Sequence, residues 1–314
     1  MADMEYRQLG DSGLTVSVVG LGCNNLGRRL DASRTDAVVN AAVDAGITLF
    51  DTADVYHGEH GFSEELLGKA LGARRDEVVI ATKFGGDMHG ENGPDWGVRG
   101  SRRYIRKAVE ASLKRLGTDW IDLYQLHVPD PVTPIEETLA ALTELVAEGK
   151  VRYVGSSQFA AWQVVDADWA ARTAGLEHFI SAQNRYSLLD REVEDELAPA
   201  CEHLGVGILP FFPLSSGLLT GKYKRDADAP DGSRLATQPE RLAHADFDKI
   251  EALETFAAER DLTLIDVAIG GLAAQPAVAS VIAGATTPQQ IAQNVAAGTW
   301  DPTAADLAAL DELT

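Results

Sequence analysis

The sequence predicts an α/β protein whose eight parallel strands close into a (β/α)8 barrel. Short apolar, β-branched segments recur along the chain, and a segment with apolar residues at helical spacing follows each of them. Parallel strands need such helical crossovers, and eight units in 314 residues suit a closed barrel better than an open doubly wound sheet. Because no linker rich in Pro, Gly or Ser divides the sequence, residues 1–314 are expected to form a single domain.

The predicted strands are residues 16–22, 48–50, 78–82, 121–126, 151–155, 179–182, 206–211 and 279–283. Ser63 is predicted to cap one helix, with Glu64 and Glu65 in its first turn, and Ser101 and Thr133 are predicted to precede further helices. Two long loops, residues 84–100 and 223–245, each follow a strand. Both are therefore expected over the C-terminal mouth of the barrel, where barrel active sites lie.

Charge and cysteine content exclude several classes of protein. The 27 Lys and Arg residues against 48 Asp and Glu give a net charge of −21, which argues against nucleic acid or an anionic membrane as a partner. Cys23 and Cys201 are too few for a disulfide scaffold and fit a reducing cytosol. With no signal peptide visible, a cytoplasmic location is expected.

No metal site is predicted. The uncharged residues 267–300 are broken by Gly and Pro, so they predict a buried helix and strand and not a membrane span.

Ionisable side chains follow three successive strands. Asp51, Lys83 and His127 end the second, third and fourth predicted strands, and Tyr56 lies five residues after Asp51. Each has an ordinary structural alternative: a turn-capping aspartate, a surface lysine, a hydrogen-bonded structural histidine and a loop aromatic. Together they are harder to explain in that way, because the carboxyl ends of parallel strands share one rim of the barrel.

These four residue types suit carbonyl reduction, which needs a hydride and a proton. A tyrosine with an ordinary pKa of about 10 exchanges its proton poorly near neutrality, and a neighbouring ammonium lowers that pKa. We expect Tyr56 to donate the proton, Lys83 to favour its phenolate and Asp51 to orient Lys83. His127 is expected to hydrogen bond the substrate oxygen.

Segments containing these residues resemble the aldo-keto reductase family, including its bacterial members and its voltage-gated potassium channel beta-subunit branch. In order they are DTADVY at 51–56, GFSEELLGKAL, VVIATKFG, DLYQLHVPDP at 122–131, VRYVGSSQF, QNRYSLL, FFPLSSGLLTGKY and VIAGATTPQQIAQN. The resemblance implies a (β/α)8 TIM barrel whose floor is closed by a hairpin in RQLGDSGLTVSVVGLG. It also implies an NAD(P)H-dependent oxidoreductase (EC 1.1.1.-) that binds its cofactor without a Rossmann domain. GLGCNNLG at 20–27 is a weak Rossmann near-match, because Asn25 replaces the third glycine.

The resemblance also implies the cofactor contacts. Ser157, Gln158 and Gln183 would hold the nicotinamide carboxamide, and Phe211 would stack on its ring. Leu214, Ser215, Gly217 and Lys222 would follow the pyrophosphate. Gly284, Thr286, Gln290 and Asn294 would hold the adenosine end.

One departure concerns the 2′-phosphate of NADP(H). Many relatives place Lys or Arg in the segment equivalent to GATTPQQ at 284–290, which is uncharged here. Arg234 matches an arginine that some relatives use near that phosphate, and Lys222, Lys224, Arg225 and Arg234 form a local positive cluster in the sequence. NADP(H) is therefore favoured over NAD(H) as the cofactor.

The predicted substrate is a small-molecule aldehyde or ketone, with Met88 and Trp96 as candidate pocket residues, although a loop tryptophan equally often packs on the barrel rim. Two alternatives stay open: a cofactor-binding regulatory subunit with little turnover, and an alcohol or sugar dehydrogenase running in the oxidative direction. The sequence leaves the oligomeric state undetermined.

Overall fold

A computed structural model of the chain describes residues 4–56 and 61–314. Residues 57–60, in the loop that follows Tyr56, lie outside the described part. Among the described residues the strands are β1 (Tyr6–Gln8), β2 (Thr15–Ser17), β3 (Val19–Gly22), β4 (Leu49–Asp51), β5 (Val79–Phe84), β6 (Ile121–Leu126), β7 (Val151–Ser157), β8 (Ser181–Gln183), β9 (Gly207–Ile208) and β10 (Val281–Gly284).

The helices of the same residues are α1 (Ala32–Asp44), α2 (Phe62–Leu71), α3 (Arg102–Leu116), α4 (Ile135–Ala147), α5 (Ala161–Ala174), α6 (Leu197–Leu204), α7 (Pro239–Ala243), α8 (Phe247–Ala258), α9 (Leu264–Ala273), α10 (Pro288–Ala297) and α11 (Ala304–Leu313). None of these helices is long and apolar enough to cross a membrane.

Within the described ranges, eight strands form one parallel sheet in the order β10-β3-β4-β5-β6-β7-β8-β9. The two edges of this sheet meet, because parallel bridges join Ile208 to Val278 and Phe211 to Ile282. The amide of Ile282 also donates to the carbonyl of Pro210 at 3.0 Å. The sheet therefore closes, and the predicted (β/α)8 TIM barrel is confirmed.

The predicted N-terminal hairpin is also present, as the antiparallel pair β1 and β2. Leu9, between the two strands, is fully buried with Leu49, Leu123 and Leu209 in the interior of the barrel. The amide of Asp11 bonds the carbonyl of Gly205 at 2.7 Å. The hairpin thus plugs the end of the barrel opposite the site described below.

Some predicted boundaries are wrong. Residues 16–22 form two strands and not one, because the chain bends at Val18. Next to the bend, the amide of Ser17 donates to Thr48 Oγ1 and its hydroxyl accepts from the amide of Thr48, both at 2.9 Å. Ser63 is not a helix cap. The helix α2 begins at Phe62 after Gly61, and Ser63 is buried inside its first turn. By contrast, Ser101 caps α3 as predicted, accepting from the amide of Tyr104.

Candidate active site

A cavity of about 760 Å³ opens at the C-terminal ends of the barrel strands. Its wall includes the last residues of five strands: Gly22, Asp51, Ser157, Gln183 and Gly284. Tyr56 and His127 line the same cavity from the loops that follow β4 and β6. Three of the four residues predicted for proton transfer therefore share one cavity, and Lys83 lies behind its wall, next to Asp51.

Lys83 and Asp51 form a buried ion pair. Lys83 Nζ lies 2.6 and 2.8 Å from the two carboxylate oxygens of Asp51 and donates to the carbonyl of Thr52 at 2.9 Å. Both side chains are almost fully excluded from solvent. Burial acts to lower the pKa of Lys83, but the Asp51 carboxylate and the Tyr56 phenol outweigh it, so the pKa lies above its ordinary value. Lys83 is therefore an ammonium at neutral pH.

Two glutamines hold the carboxylate of Asp51 from the other side. Gln183 Nε2 donates to Asp51 Oδ1 at 2.8 Å, and Gln125 Nε2 is 3.5 Å from the same oxygen. Gln125 lies on β6 opposite Lys83 of β5 in the sheet register. The sequence analysis did not single out Gln125, although it precedes His127 by two residues and therefore shares its side of the strand.

Tyr56 lies against both Lys83 and His127. Lys83 Nζ is 5.4 Å from the centre of the Tyr56 ring, and the phenol and the ammonium are hydrogen-bonded neighbours. Burial raises the pKa of Tyr56 above 10.0, and Lys83 opposes this shift without reversing it. The predicted effect of Lys83 is present, but the predicted net lowering of this pKa is wrong because desolvation is the larger effect. The phenol is protonated at neutral pH.

His127 is a neutral imidazole. Its ring centre lies 6.0 Å from that of Tyr56, with the two planes at 81°. Burial, reinforced by the Lys83 ammonium, lowers the pKa of His127 to about 3. Its backbone is fixed by two bonds, from its amide to the carbonyl of Phe84 and from Gln158 Nε2 to its carbonyl. A neutral ring keeps one N–H donor and does not repel Lys83.

The segment GFSEELLGKAL supports this site from outside the barrel. Ser63 Oγ donates to the carbonyl of Cys23 and contacts Thr52 Oγ1, both at 2.9 Å. Glu64 accepts from Thr82 Oγ1 at 2.6 Å and pairs with Arg115 at 2.7 Å. Since side chains alternate along β5, Thr82 is fixed outward by α2 while Lys83 points inward to Asp51.

Asp54 is a further buried carboxyl in the same loop. It is fully excluded from solvent, and neither of its oxygens has a hydrogen-bond partner among the described side chains. Burial, together with nearby Glu64, raises the pKa of Asp54 well above its usual range. A buried carboxyl in this position favours its protonated form.

The residues predicted for cofactor contacts line the same cavity, apart from Ser215. They are Ser157, Gln158, Gln183, Phe211, Leu214, Gly217, Lys222, Arg234, Gly284, Thr286, Gln290 and Asn294. In the segment after β9, Phe212, Ser215, Ser216 and Gly217 adopt positive φ angles of 57°, 45°, 60° and 95°. Such strained backbone clusters at ligand-binding segments. The hydroxyl of Ser216 is buried there without a partner among the described residues.

Two predictions about neighbouring residues are wrong. Met88 is buried and Trp96 is 69% exposed beside Arg103, and neither appears among the described residues that line the cavity.

In the predicted positive cluster, Lys224 pairs with Glu254 and Arg225 pairs with Glu251, so α8 neutralises both. The sequence could not predict this, because it did not show which face of α8 packs against the loop.

Residues that follow β3 also line the cavity and were missed. They are Cys23, Asn24, Asn25 and Arg29. The signal was available, since these residues follow a barrel strand just as Lys83 and His127 do. From the sequence, GLGCNNLG was expected to end the first barrel strand, but none of these four residues was predicted to belong to the site.

Comparison with known proteins settles the family. The model of the aldo/keto reductase family matches residues 18–314. The chain belongs to the aldo/keto reductase family. It is similar to a probable voltage-gated potassium channel subunit beta of Oryza sativa subsp. japonica, with 37% identity over 94% of this chain and 91% of that protein.

Two further relatives are 36% identical. One is the uncharacterised oxidoreductase YrpG of Bacillus subtilis strain 168, aligned over 94% of this chain and 91% of its own length. The other is versiconal hemiacetal acetate reductase of Aspergillus parasiticus, aligned over 93% of this chain and 92% of its own length. The family and these relatives identify the protein as an oxidoreductase, of a family that uses nicotinamide cofactors and acts on small-molecule carbonyl compounds.

Proposed function

We propose that this protein reduces aldehydes or ketones to alcohols with NADP(H), and that Tyr56 donates the proton. The observation that carries this proposal is a protonated Tyr56 that lies beside the Lys83–Asp51 ion pair and neutral His127 and lines a cavity of about 760 Å³. The bound nicotinamide supplies the hydride for the reaction.

The cavity residues fit such a cofactor. Near Tyr56 the wall offers amides and a hydroxyl from Gln158, Gln183 and Ser157, together with the aromatic face of Phe211. Gln183 uses its Nε2 on Asp51, which leaves its carbonyl oxygen to accept from a carboxamide. The volume of about 760 Å³ lies within the range of ligand sites, roughly 300–1,000 Å³.

Each side chain of the site has a separate role in proton transfer. His127 donates its N–H to the substrate oxygen and aligns it toward the phenol. Tyr56 gives its proton to that oxygen, and the phenolate that forms is stabilised by Lys83. Asp51 keeps Lys83 charged, and Gln125 and Gln183 keep Asp51 in place. Because the raised pKa of Tyr56 keeps the phenol protonated, the site favours reduction at neutral pH.

The test is a fluorescence titration of the purified protein with NADPH and NADH, followed by initial rates with aldehydes, ketones and sugars. We expect tight NADPH binding and carbonyl-dependent NADPH oxidation. Failure to bind either dinucleotide contradicts the proposal.

The potassium channel subunit names of two relatives raise a second candidate, a cofactor-binding subunit with little turnover. Stopped-flow mixing of the NADPH-bound protein with a reactive aldehyde separates the two. Rapid oxidation supports the enzyme, and bound NADPH that persists supports the subunit. The complete set of Asp51, Tyr56, Lys83 and His127 favours the enzyme.

A further inference from the structure

Arginines cluster at the end of the cavity wall that is formed by the turn after β3 and the segment around Arg234. Arg29 and Arg234 line it. Burial lowers the pKa of Arg234, and nearby Arg28, Arg241 and Arg29 lower it further. The positive charges at this end are therefore close enough to repel one another.

The turn that connects β3 to α1 holds Arg28 and Arg29 in place. The amides of Arg29 and Leu30 donate to the carbonyl of Asn25 at 2.9 and 3.1 Å. Leu26 and Leu30 are buried on either side of the two exposed arginines. Gly27 between them has φ of 79°, and a Cβ there would lie 2.5 Å from the ring of Phe62. Packing of the turn, and not an acidic partner, fixes the position of the two arginines.

In the part of the chain that the structure describes, no carboxylate pairs with these arginines, although the protein is acidic. Among the described residues, Arg28, Arg29, Arg234 and Arg241 form no ion pair, whereas Arg74, Arg106 and Arg225 each pair with two acids. Asp231 lines the same end of the cavity and is not paired with them. Since acidic residues exceed basic ones by 21, a cluster of unpaired arginines indicates a binding site for an anion.

The turn also contacts the segment that ends the cavity. Asn25 Nδ2 donates to the carbonyl of Ala285 at 3.4 Å, within the uncharged residues 284–290. Arg29 Nη2 donates to the carbonyl of Gly232 at 2.6 Å, beside Arg234 in sequence. Arg28 and Arg29 therefore bring positive charge to the adenosine end, where the segment after β10 has none.

We propose that Arg28 and Arg29, together with Arg234, bind the 2′-phosphate of NADP(H) and set the preference for it over NAD(H). This inference rests on the proposed function. A phosphate suits the site because guanidinium groups bind phosphate oxygens through paired N–H donors, and a partly desolvated cluster strengthens the attraction.

The test measures binding by fluorescence titration with NADPH and with NADH, for the wild type and the double variant Arg28→Gln/Arg29→Gln. We expect the Kd for NADPH to rise by about tenfold to a hundredfold, while that for NADH changes little. Calorimetry with adenosine 2′,5′-bisphosphate and with 5′-AMP should show the same contrast. Lys224→Gln/Arg225→Gln is the matched control, because it also removes two positive charges, which Glu254, Asp248 and Glu251 already neutralise.

Single variants guard against effects on folding. Arg28→Gln removes a side chain that makes no hydrogen bond among the described residues, and Arg29→Lys keeps the charge; we expect partial loss of NADPH affinity in both. Equal weakening of NADPH and NADH would overturn the inference, since the arginines would then serve the shared pyrophosphate. Unchanged affinities would overturn it too. A wild type that binds neither dinucleotide would instead refute the proposed function.

Discussion

At the residue scale, desolvation decides the protonation of the site. Lys83 is buried, and Tyr56 and His127 are partly buried at the cavity wall, yet their pKa values move in different directions because their neighbours differ. Lys83 stays charged beside Asp51, whereas His127 lacks an acid and becomes neutral. The result is one ammonium, one phenol and one imidazole, which is the set that carbonyl reduction needs.

The first prediction concerns the pH dependence of reduction. Since the pKa of Tyr56 is above 10 and that of His127 is about 3, neither group titrates near neutrality. We expect kcat/KM for carbonyl reduction to be flat between about pH 6 and 9 and to fall only when the phenol ionises. The measurement is the initial rate across this range. An ionisation near pH 6.5 that disappears in His127→Asn would show that the imidazole is charged in the working site.

The second prediction concerns Asp54. A carboxyl whose pKa is raised in the folded state binds a proton that the unfolded chain releases near pH 3.9, so its contribution to stability falls as pH rises above that value. Asp54→Asn removes the charge. We expect this variant to melt at least about 2 °C above the wild type at pH 8 and to lose that advantage toward pH 4.

The matched control for Asp54 is Asp36→Asn, on the exposed face of α1. Thermal melts of the three proteins between pH 4 and 8 are the measurement. An Asp54→Asn protein less stable than the wild type at pH 8 would mean that the backbone N–H of Val55 and the charges of Arg115 and Lys83 stabilise the carboxylate more than burial destabilises it.

Three of the site residues could be predicted because the sequence shows where the apolar strand segments end. Asp51, Lys83 and His127 each follow an apolar run, so alternation of strands and helices was enough to place them on one rim. The arginines of the β3–α1 turn were not predicted. Their role depends on what lies across the cavity, and contacts such as Arg29 with Gly232 join parts of the chain about 200 residues apart.

At the element scale, α2 is the support of the site. Its buried Ser63 and Glu64 bond to the loop and strand that carry Tyr56 and Lys83. The helix was predicted from the sequence, but Ser63 was predicted to be its cap and Glu64 an acid of its first turn. Periodicity indicates which residues form a helix, whereas the hydrogen-bond partners of a buried serine depend on tertiary packing.

The third prediction tests the close packing of α2 against α3. A Cβ at Gly68 would lie 2.1 Å from the carbonyl oxygen of Leu116, so Gly68→Ala must push the helices apart. We expect a loss of about 1–3 kcal/mol in the free energy of unfolding, measured in urea.

Gly271→Ala in α9 is the control for Gly68, because its Cβ would meet side-chain ends and no backbone: Leu310 at 3.3 Å and Leu188 at 3.8 Å. There the better helix propensity of alanine should leave stability unchanged or raise it by up to about 1 kcal/mol. Equal effects of the two substitutions would show that the contact with Leu116 does not limit the position of α2.

At the scale of the whole molecule, the barrel was the most predictable feature. Eight strand-and-helix units are compatible with few folds, and a closed barrel was expected. The bridge between Phe211 and Ile282 shows that closure. The lengths of individual strands were less predictable. For example, β9 spans only Gly207–Ile208, since the segment after it leaves the sheet to form the cavity wall.

The net charge of −21 makes the distribution of the basic side chains informative, both on the surface and at the site. Most basic side chains of the described residues pair with surface acids, as Lys224 and Arg225 do. Arg29 and Arg234, which form no ion pair among the described residues, line the cavity, and Arg28 and Arg241 lie near Arg234. The sequence predicted a cluster that included Lys224 and Arg225. In the structure both residues pair with acids of α8, so they do not belong to the cluster around Arg234.

The central claim is that Tyr56 donates the proton in nicotinamide-dependent carbonyl reduction. The most direct measurement compares Tyr56→Phe with the wild type in single-turnover oxidation of bound NADPH by a reactive aldehyde, with NADPH affinity measured on the same samples. The account predicts a rate lower by at least about a hundredfold and little change in affinity. A near-wild-type rate in a variant that binds NADPH normally would contradict it.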